Sequence, residues 1–224
     1  MSEPFVLVGA TGLVGGSVLQ QAEARGDARI VALSRRGIPA AADPSRGIVA
    51  PPDAWPAIIA DAKPAGLICA LGTTWRKAGR SQERFRSVDQ HLVLNCARAA
   101  HDAGARRMIV VSAVGADARS RNFYISVKGE VEDTLKTIGF ARLDILRPGL
   151  LRGSRGGDRR VKERLAIAFA PVFDRLLHGR MRAMRSICGE TVARAILALS
   201  QAAGEGVFIH DNDAIRACAD TLAD

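Results

Sequence analysis

Aromatic residues make up only 4% of this 224-residue sequence, and it has a single tyrosine. Proteins that hold single-stranded nucleic acid interleave basic groups with aromatic platforms, so this scarcity argues against that class. No run of eighteen apolar residues occurs, which argues against a membrane-spanning helix. The start, MSEPFVLVGA, has no basic segment followed by a long apolar stretch, so no signal peptide is expected. The four cysteines, Cys69, Cys96, Cys188 and Cys218, have the spacing of neither a zinc site nor a disulfide framework. Cys69 and Cys96 lie in apolar surroundings and read as reduced core residues. The histidines, His91, His101, His178 and His210, share no metal-ligand spacing with another His, Cys or acid, so no metal is expected. No G-x-S-x-G elbow occurs, which argues against a serine hydrolase. Together these absences point to the cytoplasm.

The chain is 48% apolar and long enough for one sizeable core, so one domain spanning 1–224 is expected. Its net charge of +9 is uneven: residues 150–185 hold ten basic residues against three acidic ones. Such a block attracts an anionic ligand, a membrane surface or nucleic acid, or is simply a solvated arginine-rich face.

Short apolar runs alternate with helical patterns. Strands are expected at 5–9 (FVLVG), 28–34 (ARIVALS), 46–50, 66–72 (GLICALG), 106–115 ending at Ser112, 141–149 stopped by Pro148, and 206–210 (GVFIH). Helices are expected at 13–25, 54–62, 81–103, 122–138, 158–178 and 190–201. Strands apolar on both faces between helices argue for a parallel sheet covered on two sides, an α/β doubly wound (Rossmann-like) fold. Residues 150–224 then form a small C-terminal portion, with a lid on the substrate side. The apolar stripe Val161, Leu165, Ala168, Phe169, Val172 and Leu176 either closes that lid or lies on a membrane surface.

The first strand runs into GATGLVG, which places Gly9, Gly12 and Gly15 in a G-x-x-G-x-x-G pattern at a strand–turn–helix junction. Glycines there let the backbone approach a pyrophosphate, and the helix start offers N–H groups to it. No G-K-[ST] follows, so an NTP-binding loop is excluded. The second strand ends in Ser34-Arg35-Arg36. An acid there would accept bonds from the adenosine ribose of NAD; guanidinium groups suit the 2′-phosphate of NADP instead. NADP(H) is therefore expected over NAD.

The single tyrosine, Tyr124, precedes Lys128 by one helical turn, and Ser112 ends the strand before that helix. In a doubly wound sheet ligands bind at the carboxyl ends of strands, so the three can converge beside a nicotinamide. A free phenol has a pKa near 10, and an adjacent ammonium favours its ionised form. Tyr124 can then exchange a proton with a carbonyl or alcohol oxygen, Ser112 can hydrogen-bond that oxygen, and Lys128 can also hold the nicotinamide ribose.

With a glycine motif followed by Ser…Tyr-x-x-x-Lys, the chain resembles the short-chain dehydrogenases/reductases. It is most similar to the atypical branch that includes the Tat-interacting-protein oxidoreductase. The likeness runs through GATGLVG, ALGTTWRKAG (70–79), the stretch 84–117, SRNFYISVKGEVEDTLKTIGF (120–140) and ILRPGLLRG (145–153). It implies that Gly9, Thr11, Gly12, Leu13 and Val14 line the cofactor's phosphates. It implies that Arg35 and Arg36 meet the 2′-phosphate, and Leu71, Gly72 and Thr73 the adenosine–ribose edge, while Pro148 and Leu150 flank the nicotinamide. The chain departs from the family at Asp89, where many members carry asparagine, and at Ala113, where close relatives have a second serine. The expected activity is carbonyl reduction, or oxidation of the matching alcohol, on a small-molecule substrate. The alternative is an NADP(H)-binding sensor that regulates a protein partner. Helices 81–103 and 122–138 could pair in a homodimer. A nucleic-acid partner is not expected.

Overall fold

The structure, a computed structural model, describes residues 4–38, 46–153 and 184–222. Seven parallel strands form the main sheet: β1 (Phe5–Val8), β2 (Ile30–Ser34), β3 (Gly47–Val49), β4 (Gly66–Cys69), β5 (Arg107–Val111), β6 (Arg142–Leu146) and β9 (Gly206–His210). Their order is β3-β2-β1-β4-β5-β6-β9. The order reverses between β1 and β4, so the loops after these two strands diverge and open a crevice. A separate two-residue pair, β7 (Leu151–Arg152) with β8 (Ile187–Cys188), was not legible in the sequence.

Strand alternation feeds two cores. Phe5 and Leu7 of β1 join one apolar cluster, and Val6 and Val8 the other. The first core is covered by α1 (Leu13–Ala24), α6 (Gly189–Gln201) and α7 (Asn212–Asp220), through residues such as Val18, Leu19, Ile196 and Ile215. The second lies under α2 (Trp55–Ala62), α4 (Val93–Asp102) and α5 (Phe123–Ile138), through Trp55, Ile59, Val93 and Leu135.

The helix expected at 81–103 is a composite. It consists of α3 (Gln82–Arg86), a π-helical turn (Ser87–Leu92) and α4. Ser81 caps it by accepting the Arg84 N–H. Asn122 caps α5 by accepting the Ile125 N–H, and Gly139 ends that helix with φ +97°.

Of the expected lid, residues 154–183 lie outside the described residues, together with the expected helix 158–178, its apolar stripe and most of the basic block. The rest of the C-terminal portion builds the core. β9 pairs with β6 at the sheet edge, and α6 packs on α1.

Candidate functional site

A cleft of about 1080 Å³ opens at the carboxyl ends of β1, β2 and β4. Its floor is the glycine loop. Gly9 has φ +93°, and a Cβ there would stand 2.5 Å from the Ala70 carbonyl. A Cβ on Gly15 would stand 2.3 Å from the Gly9 oxygen. The first turn of α1 therefore packs directly on the loop. Gly12 is the N-cap in extended conformation, with no side-chain cap and no acid in the first turn. That helix start suits an anion.

Eight of the expected cofactor residues line the cleft: Gly9, Thr11, Gly12, Arg35, Arg36, Leu71, Gly72 and Thr73. Arg35 and Arg36 are exposed, and neither has an acidic partner among the described residues. Lys77 and Arg84 add two more cations on the far rim, against a single acid, Asp53. Sequence reasoning missed Lys77, Arg84 and Asp53. The basic run WRKAGR was a visible signal for Lys77, whereas Asp53 comes to the cleft only because β3 pairs alongside β2.

The remaining expected cofactor residues lie outside that lining. Val14 is buried in the first core. The Leu13 side chain packs toward Gly153 and Gly189, where added Cβ atoms would lie 2.7 Å and 2.8 Å from it. Leu13 and Val14 can thus meet a phosphate only through backbone N–H groups. Pro148 is buried, and its carbonyl accepts the Val114 N–H; Leu150 is 65% exposed.

Tyr124 and Lys128 sit beside the cleft on α5. Lys128 is buried, and its Nζ stands 2.8 Å from Asp89 Oδ1. Asp89 Oδ2 accepts the Thr73 N–H at 2.7 Å. Thr73 lines the cleft, so two contacts join the cleft wall to the lysine. Burial works to discharge Lys128, but Asp89, with Tyr124 and Cys69, outweighs it and holds the ammonium above its ordinary pKa. Lys128 Nζ lies 6.0 Å from the centre of the Tyr124 ring. Tyr124 is 40% exposed, and its ring edge meets the buried Phe85 at 5.7 Å. Phe85 also meets Phe123, which meets Trp75, at 5.5 Å each. The phenol thus stands at the surface of a small aromatic cluster.

Ser112 is placed differently from the expectation. Its hydroxyl donates to the buried Glu132. Glu132 also accepts hydrogen bonds from Nε and Nη2 of the Arg147 guanidinium and holds Arg147 above its ordinary pKa. The physical reason is alternation. Met108 and Val110 of β5 face the α5 side, and Ser112 continues that parity into the reach of Glu132. Its proton is committed there, and the next residue is Ala113. Glu132 and Arg147 were missed because their pairing depends on two elements meeting in space.

Among the described residues no three His, Cys, Asp or Glu side chains gather to hold a metal ion. His91 lines the cleft, His101 meets Phe140 edge to face at 5.3 Å, and His210 Nε2 bonds Asp144 at 2.8 Å.

The fold is similar to that of solved NAD complexes. Over 92% of this chain and 75% of the other, MoeE5 in complex with UDP-glucuronic acid and NAD superposes with a TM-score of 0.71 at 16% identity. The UDP-glucose 4-epimerase of Thermus thermophilus in complex with NAD gives a TM-score of 0.70 at 16% identity, over 97% and 82%. The Bordetella bronchiseptica enzyme WbmH in complex with NAD+ gives 0.69 at 14%, over 98% and 79%. Identities this low show the doubly wound fold alone. In sequence, the chain is 34% identical to the mitochondrial protein FMP52 of Lodderomyces elongisporus, over 75% of each. It is 33% identical to that of Aspergillus clavatus, over 89% of this chain and 88% of the relative. These names overturn two expectations. They point to FMP52 proteins rather than to the Tat-interacting-protein branch, and to relatives named mitochondrial rather than to the cytoplasm. A family model described as HIM1 matches residues 58–180. With that match and these identities, the chain belongs to the HIM1 family and is a relative of the FMP52 proteins.

Proposed function

We propose that this protein is an NADP(H)-dependent oxidoreductase that reduces a carbonyl, or oxidises the matching alcohol, with Tyr124 as proton donor. The observation that carries this reading is the chain of contacts Thr73–Asp89–Lys128–Tyr124. It runs from the wall of a cationic, glycine-floored cleft to an exposed phenol. Gly9, Gly12 and the start of α1 suit a pyrophosphate, because each is a place where a Cβ or a side-chain cap would intrude. Arg35 and Arg36 suit a 2′-phosphate, and Asp53 can accept a hydrogen bond from an amine on the base.

When bound, the reduced dinucleotide supplies the hydride. Tyr124 gives its phenolic proton to the carbonyl oxygen, and such acid–base assistance is worth about 10²–10⁴ in rate. Lys128 holds positive charge beside the phenol as that proton leaves. This reading assigns Ser112 no donor role, because its hydroxyl donates to Glu132. This last observation also favours a second reading, an NADP(H) sensor with little turnover.

The test is Tyr124→Phe. NADPH consumption with a panel of carbonyl substrates should fall about 100-fold or more, with NADPH affinity within about threefold of the parent. Removing both guanidinium groups, as Arg35→Ala with Arg36→Ala, should cost about tenfold or more in preference for NADPH over NADH. If NADPH binds and no panel member is reduced in a Tyr124-dependent way, the sensor reading replaces the enzyme. If neither dinucleotide binds, both readings fail.

A further inference from the structure

Lys128 is a cation inside the protein. It is 6% exposed, and Asp89 is 1% exposed. Burial drives an ammonium toward its neutral form, in extreme cases by several pH units. The groups that face Lys128 come from three elements. Asp89 faces it from the π-helical turn, Cys69 from the end of β4, and Tyr124 from its own helix. Burial pushes the Cys69 thiol up to about 11, so at neutral pH it carries no charge. Glu132, one turn further along α5, is committed to Arg147 and Ser112. Asp89 is thus the one anion paired with Lys128 among the described residues.

The two oxygens of Asp89 have separate tasks. Oδ2 accepts the Thr73 N–H. Oδ1 stands 2.8 Å from Lys128 Nζ and has no other polar partner among the described residues. The π-helical turn places this carboxylate. A π turn admits an extra residue into a helix and re-aims a side chain, and here it leaves Asp89 buried between the end of β4 and α5.

We propose that Asp89 is the positioning residue of this site. It keeps Lys128 charged within the wall and pins it to the Thr73 backbone, where the cleft begins. Without Asp89, the buried amine gives up its proton and Tyr124 loses its neighbouring cation. The consequence for turnover rests on the oxidoreductase reading above. The charge pairing itself can be measured without cofactor or substrate.

The sequence has five lysines, so the ε-carbon signals of ¹³C-lysine-labelled full-length protein can be followed one by one against pH. The Lys128 signal is assigned by its absence in Lys128→Arg. In the parent, Lys128 should stay charged beyond the midpoint of the other four. In Asp89→Asn, its midpoint should fall below theirs by about one unit or more, whereas Asp89→Glu should restore most of it. If Lys128 titrates with the other lysines in the parent, or if Asp89→Asn leaves it unmoved, the proposal is overturned. Should Asp89→Asn fail to fold, the double variant Asp89→Asn with Lys128→Met removes both charges and should recover the melting transition; no recovery also overturns the proposal. In turnover, Asp89→Asn should lower kcat about tenfold at a pH one unit above the new lysine midpoint and regain it as pH falls through that midpoint. A shifted lysine midpoint in a protein that never consumes NADPH would end the oxidoreductase reading and leave the role of Asp89 standing. NADPH turnover that is unchanged in Asp89→Asn would do the reverse.

Discussion

At Gly9 the chain turns with φ +93°, a conformation that side chains rarely adopt. An added Cβ would also collide with the Ala70 carbonyl at 2.5 Å. Gly9→Ala therefore meets a backbone penalty and a steric one, neither of which a side-chain rotation can relieve. It should cost about 2 kcal/mol or more of stability, read as a lower urea midpoint, and should abolish dinucleotide binding. Gly26 also has a positive φ, but an added Cβ there meets nothing within 4 Å, so Gly26→Ala should leave binding intact. The glycine motif was legible because its requirement is local, a turn between a strand and the helix that follows. The direction of Ser112 was not. Its partner Glu132 lies 20 residues away, and nothing in the spacing of Ser112 and Tyr124 tells which carboxylate claims the hydroxyl.

The element that organises the site is α5. Tyr124, Lys128 and Glu132 follow one another at four-residue steps, so they form one stripe. Each goes to a different neighbour: Tyr124 to Phe85, Lys128 to Asp89, Glu132 to Ser112 and Arg147. The Tyr–Lys spacing and the helix over 122–138 were readable in the sequence. The π-helical turn opposite was not, since one extra residue barely disturbs the helical spacing of apolar residues over 81–103. Close packing of α5 on the loop before it is set by Gly129, where a Cβ would lie 2.1 Å from the Ala118 nitrogen. Glu132 ties the helix to the ends of β5 and β6. Glu132→Ala leaves the Arg147 guanidinium and the Ser112 hydroxyl without their acceptor. It should cost about 3 kcal/mol in chemical denaturation, and Glu132→Gln about half of that, because one acceptor remains. A loss below about 1 kcal/mol in the alanine variant would mean that water replaces the carboxylate at no penalty.

For the whole molecule, strand–helix alternation announced the doubly wound sheet, and the sheet order places the cleft where β1 and β4 diverge. The C-terminal strand GVFIH and the helix before it were legible from their apolar patterns, whereas the short final helix, α7, was not. The cap signal of that helix was present in DND, where Asp211 accepts the N–H groups of Asp213 and Ala214. Burial across the two cores also has a collective consequence at high pH. Burial pushes the Cys69 thiol up to about 11 and raises the Cys96 and Cys218 thiols as well. Lys128 is raised too, by Asp89 against the opposing effect of burial. All four groups bind a proton more tightly folded than unfolded, so their contributions share one sign. The stabilisation is fully present below the unfolded thiol value near 9, and is lost as pH rises through the folded values. Lys128 joins above its unfolded value of about 10.4. Stability should therefore be flat from pH 7 to 8.5 and fall steeply between about 9 and 11. Cys69 alone accounts for about 2 kcal/mol of that fall by pH 10.5. In reductant, Cys69→Val keeps an apolar side chain in the same place and has no proton to lose. Its urea midpoint should then drop less than the parent's between pH 8 and 10.5, by an amount equivalent to that contribution. Equal drops in the two proteins would show that the Cys69 thiol ionises without disturbing the second core.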